Sequence, residues 1–302
     1  MESHQLKDIT APGSFTEIAP QVSEFRRITR VMFSRLVVIF GAIIVVVFVL
    51  TAFFAPLIAP YDPTALDLGS KLAKSSAAHL LGTDQLGRDV LSRIIYGSQI
   101  SLLIGIVSVF IAAFFGMGLG LLAGYVGRWV NTIVMRFTDA LLAVPPLVLM
   151  LGVAAALGGG LKNVMISVGF ALIPTYIRLM CAQCLSIKQS DYITAARVIG
   201  ASDVRIMGRH IFPNSFPPLL VLITTNIGIA IMAEASLSFL GIGISPPTPT
   251  WGAMVNDGYR YLLSNPLVSL APGISILLVV LAINLVGDGL RDALDPRLRG
   301  LL

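Results

Sequence analysis

Few side chains in this 302-residue sequence are placed to make or break bonds. The three histidines, His4, His79 and His210, fall outside the long apolar stretches. They offer neither a base for an intramembrane nucleophile nor the ligand set of a metalloprotease. Cys181 and Cys184 form a C-x-x-C, the spacing of a redox pair or of half a metal site. No second pair or adjacent histidine completes it, so two thiols packed as small hydrophobes are expected. No G-x-x-x-x-G-K-[ST] occurs, since Gly158-Gly159-Gly160 with Lys162 has another spacing. Without a phosphate-cradling loop the chain is not expected to hydrolyse nucleotide itself or to hold a cofactor or metal. One acid stands out. Glu234, in MAEASLSFLG, lies in an otherwise uncharged run. Two readings stand for it: a functional intramembrane carboxylate, or a residue that a tilted span brings to the interface.

The elements that carry these residues are membrane helices. The chain is 56% hydrophobic and only 12% charged, where a soluble domain would be about 25% charged. Such a chain cannot cover itself with polar surface. About 20 apolar residues cross a bilayer as a helix, and six spans are expected at 36–56, 98–124, 135–157, 163–185, 215–240 and 269–288. A polar segment 1–35 precedes them and a tail 291–302 follows. The first span is long enough to be an uncleaved anchor. Alternating polarity, the mark of a β-barrel, is absent.

Charge sets an expected orientation. Five Lys and Arg precede the first span, Arg128 and Arg136 follow the second, five lie from Arg178 to Arg209, and three are in the tail. These 15 of 21 fall on one side, which should be cytoplasmic, with both termini. Of the other six, four lie in the 57–97 loop, where Asp62, Asp67, Asp84 and Asp89 offset them. Arg178, near a span end, is expected to snorkel to the interface, and Asp139 to be an interfacial charge beside Arg136.

Within the spans, Ala112, Gly116, Gly120 and Gly124 recur every fourth residue, a face that lets a second helix backbone approach closely. Pro145-Pro146, Pro174 and Pro217-Pro218 each kink or start a helix. Pro145 and Pro146, with Glu234, are candidate pathway or gate residues.

The stretch ITAARVIGASDVRIMGRHIFPN (193–214) breaks the pattern with three arginines, a histidine and an aspartate. Its apolar residues Ile193, Ala196 and Gly200, then Val204, Met207 and Ile211, share helical spacing. Gly200 permits a bend, and Pro213 is expected to mark the start of the next helix. Thr194, Ala195, Ala196 and Gly200 offer little to insert into lipid. They form a low surface suited to a protein groove, with Ala196 on the docking face and exposed to water in the free chain.

This stretch resembles the EAA loop of bacterial ABC-importer permeases, E-A-A-x3-G-x9-I-x-L-P. Ala195, Ala196, Gly200 and Pro213 match, while Thr194, His210 and Phe212 replace the Glu, Ile and Leu. HLLGTDQLGRDVLSRIIYGSQISL (79–102), DALLAVPPLVL (139–149), SLSFLGIGISPPTPTWGAM (236–254) and NLVGDGLRDALDPRLRG (284–300) resemble the C-type permease of dipeptide and oligopeptide importers. The resemblance implies an all-α membrane protein with the type I ABC importer permease fold. Its six transmembrane helices would carry a cytoplasmic coupling-helix loop at 189–213. Thr194, Ala195, Ala196, Gly200, Ala201, Asp203 and Pro213 would then serve ATPase coupling. It implies a homologous second permease, two cytoplasmic ATPase subunits that hold ATP and Mg, and an extracytoplasmic binding protein. The membrane would be the bacterial inner membrane, and the cargo di- or oligopeptides, with nickel complexes or glutathione as alternatives. An ion-coupled secondary transporter would need several deep ionisable residues, and a membrane scaffold would leave the Ala-Ala-Gly-Pro frame unexplained.

Overall fold

The structure, a computed structural model, describes residues 29–294, so the polar segment up to residue 28, with His4, and the tail from 295 lie outside it. All the regular elements described are helical. Five helices are long and apolar enough to cross a membrane, and a bent pair passes the same test together.

Helix α1 (Leu36–Phe53) is apolar on all sides, and only Val38 and Gly41 are buried, which leaves most of it for lipid. Its most extensive contact is with α9 (Leu267–Leu294), and it also packs on the Val90–Val126 helix. Gly41 lies against Leu285, Gly289 against Val38, and Arg35 pairs with Asp292 at 2.7 Å.

Helix α2 (Val90–Val126) is capped by Asp89, whose carboxylate accepts from the Ser92 amide at 2.7 Å and its hydroxyl at 2.8 Å. At 1.5 Å per residue its 37 residues reach about 55 Å, well beyond the roughly 30 Å hydrocarbon core. It packs along α5 (Leu161–Lys188) in the most extensive contact of the bundle. A Cβ at Gly120 would stand 2.5 Å from the Ile177 carbonyl oxygen, and one at Gly116 2.8 Å from that of Ile173. Gly124 faces Cys184. The two backbones can meet only because these positions carry no side chain.

The expected single span 135–157 is instead two helices, α3 (Arg128–Leu142) and α4 (Pro146–Leu157), bent by 94°. Pro145 has no N–H to continue α3, and a residue that precedes a proline is driven toward extended backbone. Pro145 and Pro146 form the elbow and are exposed. Arg178 of α5 and Asp139 of α3, both exposed, pair with each other at 2.6 Å, so the partner of Asp139 is Arg178 and not Arg136, and the pair ties α3 to α5 just before the elbow.

After α5 come the short α6 (Asp191–Val198) and the long α7 (Asp203–Phe239). The helix expected to begin at Pro213 begins ten residues earlier. Pro213, Pro217 and Pro218 sit inside it because a wide π turn at Met207–Ile211 precedes them. Asn214 and Ser215 donate their side chains to the carbonyls of His210 (2.6 Å) and Ile211 (2.9 Å).

At the opposite end from α6, helix α8 (Trp251–Tyr259) and the 59–89 loop form a lid. Trp251 is fully buried, donates to the Ile94 carbonyl at 3.0 Å and stacks edge-on with Phe48. Below it two aspartates of the loop are paired: Asp84 with Arg88 (2.6 Å) and Arg93 (3.6 Å), Asp89 with His79 (2.9 Å). Nearby, hydrogen bonds from the Ser70 side chain and the Gly69 amide hold the Asp67 carboxyl below the usual carboxylate range.

Candidate functional site

Helix α6 begins after Ser190 with Asp191 in its first turn and Arg197 in its last, both complementary to the helix dipole. It stops at Gly200, whose φ of +82° is a left-handed conformation that glycine adopts without strain. The Ala201 amide donates to the Ala196 carbonyl and the Gly200 amide to that of Arg197, both at 3.0 Å. This pair of bonds is a Schellman closure, so Gly200 is required by the backbone and not by crowding.

The outward face of α6 differs from the expectation at Ala196. Ala196 is only 7% exposed and Ile193 is buried with it, packed toward Ile206 and Ile211 of α7. The residues that project are Val198 (82% exposed), Ile199 (84%) and Val204 (75%), with Thr194, Ala195 and Gly200 also exposed. Ala196 is therefore not open to water as expected: the chain's own residues cover most of it, and it reaches the surface only at the edge of the groove beside the tip. An open groove of about 580 Å³ adjoins the tip, with Ala195 and Ile199 in its wall and Arg205, Arg209 and His210 on its basic side. Pro213, one helical stretch further along α7, is exposed away from this tip.

The base of α6 is fastened through a residue that motif reasoning passed over. Tyr125, in the last turn of α2, donates its hydroxyl to the carboxylate of Asp203 at the start of α7. Its backbone carbonyl accepts from the Lys188 ammonium at 2.6 Å, at the end of α5. Lys188 also lies 5.2 Å from the centre of the Tyr125 ring, and the Arg197 guanidinium of α6 5.9 Å from it, both cation–π distances. Sequence offered one clue: Tyr125 ends the Gly116–Gly120–Gly124 ladder, where α2 must leave α5.

Other candidates stand apart from this junction. Glu234 is fully buried near the α8 end and reaches neither lipid nor water. Ser238 donates to its Oε1 at 2.7 Å, while Oε2 has no hydrogen-bond partner among the described residues. Cys181 and Cys184 are buried free thiols, the first taking a 3.3 Å contact from the Asn131 amide. Among the described residues no cluster of three or more His, Cys, Asp or Glu could hold a metal.

Residues 116–300 match the family described as binding-protein-dependent transport system inner membrane component, and residues 23–75 match the N-terminal TM domain of oligopeptide transport permease C. The chain is 39% identical to the dipeptide transport system permease protein DppC of Alkalihalophilus pseudofirmus, over 94% of this chain and 92% of that protein. It is 44% identical to a probable D,D-dipeptide transport system permease protein, DdpC, of Escherichia coli K12, over 86% and 87%. It is 46% identical to the glutathione transport system permease protein GsiD of another Escherichia coli strain, over 86% of each. Among solved structures, the fold is shared with a chain of the MetNI methionine ABC transporter in inward facing conformations. That match has a TM-score of 0.52 at 18% identity, over 67% of this chain and 96% of that one.

Proposed function

This chain belongs to the family of binding-protein-dependent transport system inner membrane components, and from that premise we propose that it is the permease half of an ATP-driven importer of short peptides. It is a multi-pass inner-membrane protein, and its task is conduction, not bond chemistry. A second, homologous permease completes the pathway, because five spans and one broken span enclose too little to surround a peptide alone. Two ATPase subunits lie at the α6 end, and an extracytoplasmic binding protein delivers cargo at the α8 end. The charge bias read from the sequence supports this orientation, since 15 of the 21 Lys and Arg are expected on the side that carries the 189–213 loop.

The observation that carries the coupling role is the tip of α6. Val198, Ile199 and Val204 are large, apolar and exposed where α6 turns into the start of α7. Burying one such side chain contributes about 1.5–3 kcal/mol, enough for a few of them to hold an ATPase groove. ATP then shifts the permease between its inward- and outward-facing states through contacts at this tip that differ between the two. The relatives named for dipeptides support short peptides as cargo, and the one named for glutathione supports a small peptide-like thiol as the second reading.

The test is Ile199→Glu. A charge without a partner in a desolvated contact costs about 2–5 kcal/mol, roughly a thirtyfold or greater loss of affinity. ATPase co-purification and ATP-driven dipeptide uptake should both fall while the permease itself inserts and folds as before. A variant that retains the ATPase and transports at the parent rate would refute the docking tip.

A further inference from the structure

Helix α6 has eight residues, and an isolated helix of that length does not hold its shape in water. Its links are short stretches outside the helices: Gln189 and Ser190 on one side, Ile199 to Ser202 on the other. A partner that moved the tip would by default bend these links and leave the spans where they stand. Something has to turn a local push into displacement of long helices.

The junction around Tyr125 has the required connectivity. One buried side chain touches the ends of four elements: its own α2, α5 through Lys188, α6 through Arg197, and α7 through Asp203. Asp203 forms no ion pair among the described residues, so its carboxylate is committed to the Tyr125 hydroxyl. The two cations lie over the ring, where they bring Lys188 and Arg197 together despite their like charge. Apolar packing of Ile193 alone would resist compression but not rotation, because dispersion contacts carry no direction. A hydrogen bond is directional, and it supplies what the packing lacks.

Resting on the importer function above, we propose that Tyr125 is a positioning residue, a latch that makes α6, the start of α7 and the inner ends of α2 and α5 move as one body. With the latch closed, motion of the ATPase reaches α2, and through the tight Gly116–Gly124 seam it reaches α5 as well. With the latch open, ATP is hydrolysed while the spans lag behind.

The experiment uses the assembled complex in lipid nanodiscs and proteoliposomes, with a dipeptide as cargo. Tyr125→Phe removes the hydroxyl and keeps the ring. The complex should assemble, ATP hydrolysis stimulated by the loaded binding protein should persist, and dipeptide imported per ATP should fall at least about tenfold. Asp203→Ala should act alike, and combining it with Tyr125→Phe should add little, as expected when both remove one interaction. Asp203→Asn keeps an acceptor oxygen and should hold the ratio within about twofold of the parent. A merely structural role would lower the yield of complex and leave the ratio unchanged, and that result would overturn the latch.

A second measurement is independent of transport. Spin labels at Leu122→Cys on α2 and Thr194→Cys on α6, with Cys181 and Cys184 replaced by alanine, report the distance across the latch. The distribution should be narrow in the parent and broad in Tyr125→Phe, and equal widths would refute the proposal. If the parent complex drives no uptake, the importer reading falls, while the label distance still decides the latch.

Discussion

Two glycines of the same helix provide a controlled test of the α2–α5 seam. Gly118 and Gly120 both lie inside α2, and Gly→Ala at either gains the same helix propensity, about 1 kcal/mol. Their surroundings differ. A Cβ at Gly118 meets nothing within 4 Å, whereas one at Gly120 would stand 2.5 Å from the Ile177 carbonyl oxygen and 2.8 Å from Met180 Cβ. Ordinary contact begins near 3.5 Å, so the helices must part by about 1 Å, and no rotamer change relieves a clash with backbone. Overpacking of this kind costs about 1–3 kcal/mol. The propensity gain cancels between the two sites. Gly118→Ala should thus unfold later than Gly120→Ala by a margin of about 1–3 kcal/mol. Thermal denaturation in a fixed detergent, followed by loss of helical circular dichroism, measures this difference. Equal stability of the two variants would mean that α2 and α5 do not meet at Gly120, and the reasoning would fail.

Two further outcomes are expected. Arg88, buried between Asp84 (2.6 Å) and Asp257 (3.7 Å), leaves the buried Asp84 with only the longer contact to Arg93 (3.6 Å) when it becomes alanine. Breaking such a buried pair costs about 3–5 kcal/mol, so Arg88→Ala should expose the 57–97 loop to limited proteolysis, and an unchanged digestion pattern would count against the cluster. Single cysteines at Ser76 and Ser202, with Cys181 and Cys184 removed, should divide by side: an impermeant thiol reagent outside intact cells labels the first alone, and labelling of the second would reverse the proposed orientation.

How much of this was legible without coordinates depends on the range of the interaction. Apolar run length and composition are local, and they sufficed for a helical membrane protein with long spans, because lipid satisfies no backbone hydrogen bonds. Gly200 could be singled out for the same reason: a backbone turn at one residue needs only that residue's freedom. Pro145-Pro146 announced a break in its span, yet its size, 94°, came from how α4 lies on α5. Thr194, Ala195 and Gly200 are exposed as expected, but Ala196 was misplaced because small and apolar residues occur on both sides of α6. Over eight residues, helical periodicity cannot say which side a neighbouring helix will cover.

The sequence by itself determined the class of the protein, the places where its helices could break, and the stretch that interrupts the membrane pattern. Only the tertiary structure decided which atoms hold that stretch to the spans. Tyr125 and Asp203 are 78 residues apart, and Trp251 and Ile94 are 157 apart. Nothing in the spacing of one partner announces the other. Likewise the aspartates of the 57–97 loop could be counted against its cations, but that Asp84 alone among them joins Arg88 and Arg93 in a buried cluster beneath α8 required the fold. Hydrophobic patterning is written residue by residue along the chain. Directional contacts between polar groups arise only once packing has brought distant residues to within a few ångströms, and in this permease such contacts join α6 to the ends of α2, α5 and α7.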